Sequence, residues 1–376
     1  MLDVDPALLG DTDERRQLRE VLRDFFTEAS ASAGIREHVA TGHGHDAALW
    51  ARMAAELGVQ GLAIPEDYGG SGFSFAELAV VFEEAGRALL CAPLLSTTVA
   101  TYTLLLSGDH QACARYLPRI AEGTLTATVA GFDDDRGGDG GLRARQGKDG
   151  WVGSGAADFV LDGCGAGLIL LAARTADGPG LFACERDAGG LTRTARTVLD
   201  GTRPQALVTF ANTPLVRIGP QGSAAAITGR VLDIGRAALA AEQVGGSAHA
   251  LDATVSYVLQ RRQFGRQIGS FQAVKHRLAD LLVEIEAARS AAVYAVACVT
   301  ASSEDLPMAA STAKVVCSGA YRRATAEYVQ LHGGIGFTWE HPAHLYLRRA
   351  RAAEILFGTA DDHRARLSDL LGFNAA

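Results

Sequence analysis

The sequence predicts an α+β protein whose chain runs helical, then β, then helical. Three observations carry that prediction. Up to about residue 123, apolar residues recur at three- and four-residue spacing. From Gly123 to about Gly219, short β-prone runs alternate with glycine and aspartate turns. From Ser223 the helical period returns and continues without a proline to Pro307. The implied domains are 1–123, 124–220 and 221–376.

Element by element, Arg15–Ala29 is amphipathic, with Leu18, Val21, Leu22, Phe25 and Phe26 on one side. Ala47–Leu57 ends at Gly58, a C-terminal cap. Pro65–Gly72 is a glycine-rich turn. Ser74 precedes a helix over Phe75–Leu89, with Glu77 completing a capping box. Helices follow at Ser96–Leu106 and near Gln111–Ala121. The β-prone runs are Leu125–Ala130, Gly150–Val152, Phe159–Leu161, Leu168–Ala173, Gly180–Glu185 and Gln205–Phe210, a compact domain of hairpins. Asp133–Gly141 reads as a mobile surface loop. The last third predicts helices at 223–262, 270–302, 308–331 and 342–356, and one near Asp361–Leu371.

Composition narrows the class. Of 376 residues, 48% are apolar and 21% charged, the balance of a soluble globular protein with ample core. The net charge of −8 disfavours general affinity for nucleic acid or anionic membrane. Arginines gather at 261–266 and 348–351, so local anion sites remain open there. The acidic start, Met1-Leu2-Asp3-Val4-Asp5, does not read as a signal peptide, and no run of about 18 apolar residues exists. The six cysteines are scattered without a Cys-x-x-Cys pair, which reads as reduced thiols in a cytoplasmic protein. His43, His45, His332, His341 and His344 lack metal-ligand spacing, so no metal is expected.

Two places in the last third carry chemistry. Glu242 is the only acid between Ala237 and Leu251, on a stripe of small and apolar residues. A carboxylate there is expensive unless it is used or paired, so it is either catalytic or joined to an arginine across the helices. Arg261 to Gln272 is a basic, polar turn between two apolar helices. It suits an anion, or else it is a capped turn with solvated arginines.

The run Arg261-x-x-Phe264-Gly265-x-x-Ile268-x-x-Phe271-Gln272 after a long helix resembles the acyl-CoA dehydrogenase family of flavoproteins. Gln330-Leu331-His332-Gly333-Gly334-Ile335-Gly336-Phe337, Glu340-His341-Pro342 and Leu347-Arg348 agree with it. So do Trp50, Leu57-Gly58, the Ile64 to Gly72 turn and Glu83-Glu84-Ala85-Gly86-Arg87. The motifs follow in order over essentially the whole chain. The resemblance implies an N-terminal helical domain, a middle β-barrel and a C-terminal four-helix bundle. It also implies bound FAD, an acyl-CoA substrate, and an electron-transfer flavoprotein or similar acceptor. In the family a carboxylate removes the α-proton of the thioester while the β-hydride passes to the flavin.

The resemblance assigns residues. Arg261, Phe264 and Gln272 resemble those a neighbouring subunit lends to FAD, with arginine meeting the pyrophosphate. Gln330, Gly333 and Gly334 resemble a second lent segment. Thr359 of the Gly358-Thr359 pair is assigned to the cofactor, and Arg236 to the CoA moiety or a bundle salt bridge. The departures are as informative. Phe357 and Gly235 occupy the two positions where the family keeps its base. Glu242, seven residues after Gly235 and nearly on its face, is the expected replacement. Ala238, Ala241, Gly245 and Gly246 are expected to leave room for a bulky acyl group, and subunits acting on steroid side chains look similar in this run. The flavin-ring segments read Val129 to Asp135 and Phe159-Val160-Leu161, without the family's hydroxyls. The expectation is therefore an α2β2 heteromer in which a paralogous chain completes the flavin site. The alternatives are a non-catalytic scaffold subunit, or a flavoenzyme of this fold using oxygen or an acyl-carrier-protein substrate.

Overall fold

The computed structural model describes residues 4–29, 35, 45–132, 141–148 and 150–373. The loop expected at Asp133–Gly141 lies outside these residues except for Gly141, as do Asp133–Asp135 of the eroded segment and His43. Backbone contacts gather the chain into two compact units that interleave in sequence. One holds Met1–Glu37, Phe75–Leu90 and Arg236–Ala376; the other holds His38–Ser74 and Cys91–Gly235. No helix among the described residues is long and apolar enough to cross a membrane.

The second unit is built on β-strands. Before them come α2 (Ala47–Arg52), α4 (Leu94–Leu106) and α5 (His110–Ala121). The helix expected to run to Leu57 becomes a π-helical turn over Met53–Leu57, and left-handed Gly58 caps it as expected. The strands are β1 (Ala127–Ala130), β2 (Arg143–Gly147), β3 (Gly150–Leu161), β4 (Leu168–Thr175), β5 (Gly178–Glu185), β6 (Leu191–Ala195) and β7 (Gln205–Ile218). Pairing runs β4–β2–β3–β7–β5 and returns to β4, so the ladder closes on itself as a barrel. Ile169, Leu171, Phe182, Val208 and Phe210 fill it.

Three expectations change here. The runs at 150–152 and 159–161 are one strand, joined through Gly153–Asp158 and bulged between Ala157 and Val160. The strands β2 and β6 carried no β signal because their alternate positions are exposed arginine and threonine. Lastly, β1 pairs β4 in parallel, which adjacent hairpins do not produce.

The first unit is helical. It contains α1 (Asp13–Ala29), α3 (Phe75–Arg87), the long α6 (Ala224–Gln260, in this unit from Arg236), α7 (Gln272–Thr300), α8 (Leu306–His332), α9 (Ala343–Ile355) and α10 (Ala360–Leu370). The motif Glu83-Glu84-Ala85-Gly86-Arg87 turns out to be packing machinery. Glu84 is buried and accepts from Arg23 of α1 at 2.7 and 3.0 Å. Glu83 pairs with Arg289 of α7, and Arg87 with Asp252 of α6 at 2.6 Å.

Gly86 belongs to the crossing of α3 and α6. A Cβ on Gly86 would stand 2.0 Å from the Glu242 carbonyl oxygen, and one on Gly245 would stand 1.8 Å from that of Glu83. Each helix presents a glycine to the other's backbone. Gly246 is likewise filled, because its Cβ position lies 2.6 Å from the Tyr321 ring. The room expected for an acyl group beside Gly245 and Gly246 is occupied by the protein itself. Small residues here let helices approach.

Gly245→Ala is therefore expected to destabilise the fold by at least about 3 kcal/mol, the upper range for overpacking, since backbone cannot give way as a side chain can. Denaturant unfolding of the variant against Gly229→Ala, whose Cβ would meet nothing, measures the difference.

Candidate functional site

Glu242 sits on α6 beside this crossing, 5% exposed. Its Oε1 accepts from Arg349 Nη1 of α9 at 2.8 Å, and Arg349, 2% exposed, also donates Nη2 to the Leu90 carbonyl at 3.2 Å. The carboxylate is thus joined to an arginine across the bundle, the second of the two fates open to it in sequence. Burying a charge without a partner is costly, and this pair answers that cost on both sides. The other two arginines of the 348–351 cluster are not buried, but each has a partner. Arg348 lies 5.5 Å from the Trp339 ring centre, and Arg351 reaches Glu354 at 3.1 Å.

The segment after α9 holds Phe357 at the position of the family's base. Phe357 is buried and left-handed, with φ of 59°, a strained conformation for a bulky side chain. Its carbonyl is held twice. Arg236 Nε donates to it at 3.0 Å and His363 Nε2 at 2.9 Å. That contact makes His363 the Nε2–H tautomer, leaving Nδ1 to face Ser311 Oγ at 3.3 Å. Burial, then the nearby Arg236, pushes the His363 imidazole down to about 4, so it stays neutral. Gly358 follows with φ of 104°, and a Cβ there would strike His363 Nε2 at 2.8 Å. Arg236, expected at CoA or in a salt bridge, thus makes a backbone contact. Thr359, expected at the cofactor, caps α10: its hydroxyl meets Asp362 Oδ2 at 2.7 Å in a reciprocal capping box.

Lys314 of α8 escaped the sequence reading. The chain has three lysines, and this one is fully buried. Its ammonium donates to Ser318 Oγ at 3.2 Å and to the carbonyls of Ala353 and Glu354 at 2.9 and 3.0 Å, so all three donors are used. A compact ammonium suits that task better than a planar guanidinium. Ser318 in turn accepts from Gln243 of α6 at 3.1 Å. The only early signal was the lysine's rarity in an arginine-rich chain.

The lent segments gather at the other end of the bundle. Arg261 and Arg262 follow α6, and β8 (Arg262–Gln263) pairs with β9 (Arg266–Gln267) around Phe264 and Gly265, both at positive φ. Phe264 is 91% exposed. Gln272 opens α7, exposed. Tyr257, one turn before Arg261, stacks on His332 at 4.0 Å and donates to its carbonyl at 3.4 Å. This contact sets the Arg261–Gln272 segment beside Gln330, Gly333 and Gly334. Those three are exposed, and a Cβ on either glycine would meet nothing. The backbone there is open to a close approach, although the Gly333 amide itself donates to the Gln330 carbonyl. Among the described residues no trio of His, Cys, Asp or Glu is placed to hold a metal.

The β unit is different. The Thr128 hydroxyl, the one nearest the expected ring segment, donates to the Leu161 carbonyl at 2.7 Å. Phe159 is exposed at the β3 bulge with φ of 54°, its amide held by Asp158, which Arg196 grips at 2.6 and 2.7 Å.

Burial, then Arg236, lowers the Lys314 pKa to about 8 from 10.5. The unfolded chain then binds the extra proton between those values, so the contribution to stability rises with pH from about 8 to 10.5 and is unfavourable below. The wild type should gain roughly 1.4 kcal/mol per pH unit over Lys314→Met across that window, measured by denaturant melts at pH 8, 9 and 10.

Comparison with known proteins agrees with this architecture. The model of the acyl-CoA dehydrogenase N-terminal domain matches residues 12–124, and that of the C-terminal domain matches residues 221–371. Acyl-CoA dehydrogenase IpdE2 of Mycobacterium tuberculosis is 34% identical over 361 residues, covering 94% of this chain and 96% of that protein. Among solved structures, the Tcur3481–Tcur3483 steroid ACAD superposes with a TM-score of 0.87 at 33% identity, over 96% of this chain and 99% of its own. The ChsE4–ChsE5 complex of Mycobacterium tuberculosis superposes with a TM-score of 0.89 at 25% identity, over 98% of this chain and 100% of its own.

Proposed function

Because the chain belongs to the acyl-CoA dehydrogenase family of oxidoreductases acting on acyl-CoA, we propose that it works as one subunit of a heteromer that oxidises an acyl-CoA thioester to its α,β-unsaturated product. FAD, when bound, supplies the hydride acceptor, and an electron-transfer flavoprotein or similar acceptor reoxidises it. The similarity to a steroid ACAD supports a bulky, steroid-derived acyl group.

One observation carries the reading: the two ends of the flavin contact set are unequal in this chain. The nucleotide end fits FAD. Arg261 and the Gly333-Gly334 backbone are exposed with no side chain in the way, Phe264 offers a ring, and Gln272 and Gln330 offer side-chain amides. Among the described residues the ring end does not fit, because the Thr128 hydroxyl donates its proton to Leu161 and Phe159-Val160-Leu161 brings no hydroxyl. A chain that grips the nucleotide and whose described residues give the flavin ring no hydroxyl is useful beside a paralogue that does. Two copies of each chain would then satisfy closed symmetry.

The proton-abstracting carboxylate belongs to the partner in this reading. Phe357 and Gly235 carry no acid, and Glu242, the expected base, is committed to Arg349. Glu242→Gln alone should cost about 3–5 kcal/mol of stability, because it leaves Arg349 charged and buried. The double variant Glu242→Gln, Arg349→Met should recover the fold and keep turnover of the co-expressed complex within about threefold. A well-folded double variant with full flavin and a loss of at least about a hundredfold would make Glu242 the base.

Assembly is tested by light scattering with flavin absorbance. The chain alone should hold FAD weakly, and co-expression with a paralogue should give about one FAD per pair of unlike chains. Arg261→Ala should lower flavin retained after dialysis, by the roughly 1.5–3 kcal/mol of a charge-assisted contact. A homotetramer with tightly bound FAD in every chain would overturn the reading. An acyl-CoA panel with a dye acceptor tests the substrate class.

A further inference from the structure

We propose that His332 and His341 form a latch that holds residues 333–340 against the bundle only while both imidazoles are neutral. The segment is bounded at each end by one of these histidines, and their ring centres are 4.5 Å apart. His332 closes α8. Its Nδ1 meets the Tyr328 carbonyl at 2.8 Å, its ring stacks on Tyr257, and the Tyr328 edge lies 4.8 Å away. His341 precedes α9. Its Nδ1 accepts the Ala343 amide at 3.3 Å, at the first residue of that helix. The acceptor role requires an unprotonated Nδ1. Between the histidines, Ile335, Phe337 and Trp339 point outward, with Trp339 53% exposed.

A proton on His341 does three things at once. It removes the acceptor for the Ala343 amide. It sets a cation at the positive end of the α9 dipole. It also faces a second imidazole whose own proton is costly. The groups acting on His341 agree in sign: burial first, then His332 and His344, hold it down to about 4. Burial lowers His332 as well, against its contact with the Tyr328 carbonyl. The remaining neighbours are Tyr257 on α6, Tyr328 on α8 and Tyr346 on α9, with Glu340 next in the chain. Beyond them His249 stacks on Tyr346 at 4.5 Å, beside Arg87 and Asp252, and is also held near 4. For a histidine lowered in the fold, stability is full above the unfolded value of 6.5 and is lost as pH falls toward 4, up to tenfold per pH unit for each group. That the opening also loosens the flavin nucleotide rests on the reading of Gly333 and Gly334 above.

Hydrogen exchange of the full chain, corrected for intrinsic rates, tests the latch between pH 7 and 4.5. Amides of 333–341 should lose protection by several-fold to tenfold per pH unit below about 6, while the strands around Trp151 keep theirs. Trp339 emission, taken as the difference from Trp339→Phe, should follow the same curve. His341→Asn keeps a capping acceptor that cannot titrate, and His332→Gln removes the facing imidazole; each should flatten the profile. Unchanged wild-type protection down to pH 5, simultaneous loss in the strands, or a slope as steep as the wild type's in both variants would each overturn the latch. Flavin retention by the co-expressed complex is read in parallel. An opened segment with flavin retained would overturn the assignment of Gly333 and Gly334 and leave the latch standing.

Discussion

The helical unit depends on one close crossing, that of α3 and α6. Two glycines, Gly86 and Gly245, let each backbone lie where the other's side chain would have been. A Cβ at either position would strike a carbonyl oxygen, so those two positions are held to glycine. Glu242, buried beside the crossing, is paired with Arg349 of α9, which also reaches the carbonyl of Leu90 just past α3. Tyr346, one turn earlier on α9, donates to the Arg87 carbonyl at 2.7 Å. The crossing and the buried pair thus join three helices, and the register of α9 against α6 follows from them.

That register fixes the segment beyond α9. Lys314 caps the last carbonyls of the helix, Arg236 and His363 hold the next one, and the capping box at Thr359 starts α10. Left-handed Phe357 persists because its surroundings over-determine it. The segment is an anchored element that carries an aromatic side chain, Phe357. Its donors come from α6, α8 and α10, so no one helix sets its shape.

At the opposite end the same bundle leaves its polar groups open. The Phe264 hairpin and the Gly333 segment are held from behind by the contact of Tyr257 with His332, and their outer faces meet solvent. One end of the bundle is thus closed around Lys314 and Arg236, and the other is open, with exposed arginine and glycine.

The sequence by itself determined the α+β class, the five helices of the last third to within two or three residues, and the segments that carry family motifs. Those features rest on local periodicity, caps and turn residues, which act over a few positions. It did not determine the merging of the two runs into β3, the strands β2 and β6, or the parallel pairing of β1 with β4. Strand partners come from anywhere in the chain, and an exposed strand of arginine and threonine has no apolar alternation to read. Glu242 shows the same division at the site. Its cost was legible from its apolar neighbours, but whether it was met by catalysis or by a partner was not, because Arg349 lies 107 residues away. The glycines beside it read equally well as room for a ligand or as room for a helix. Only the packing of α3 and Tyr321 against them decided that, since space is a property of what surrounds a residue and not of the residue itself.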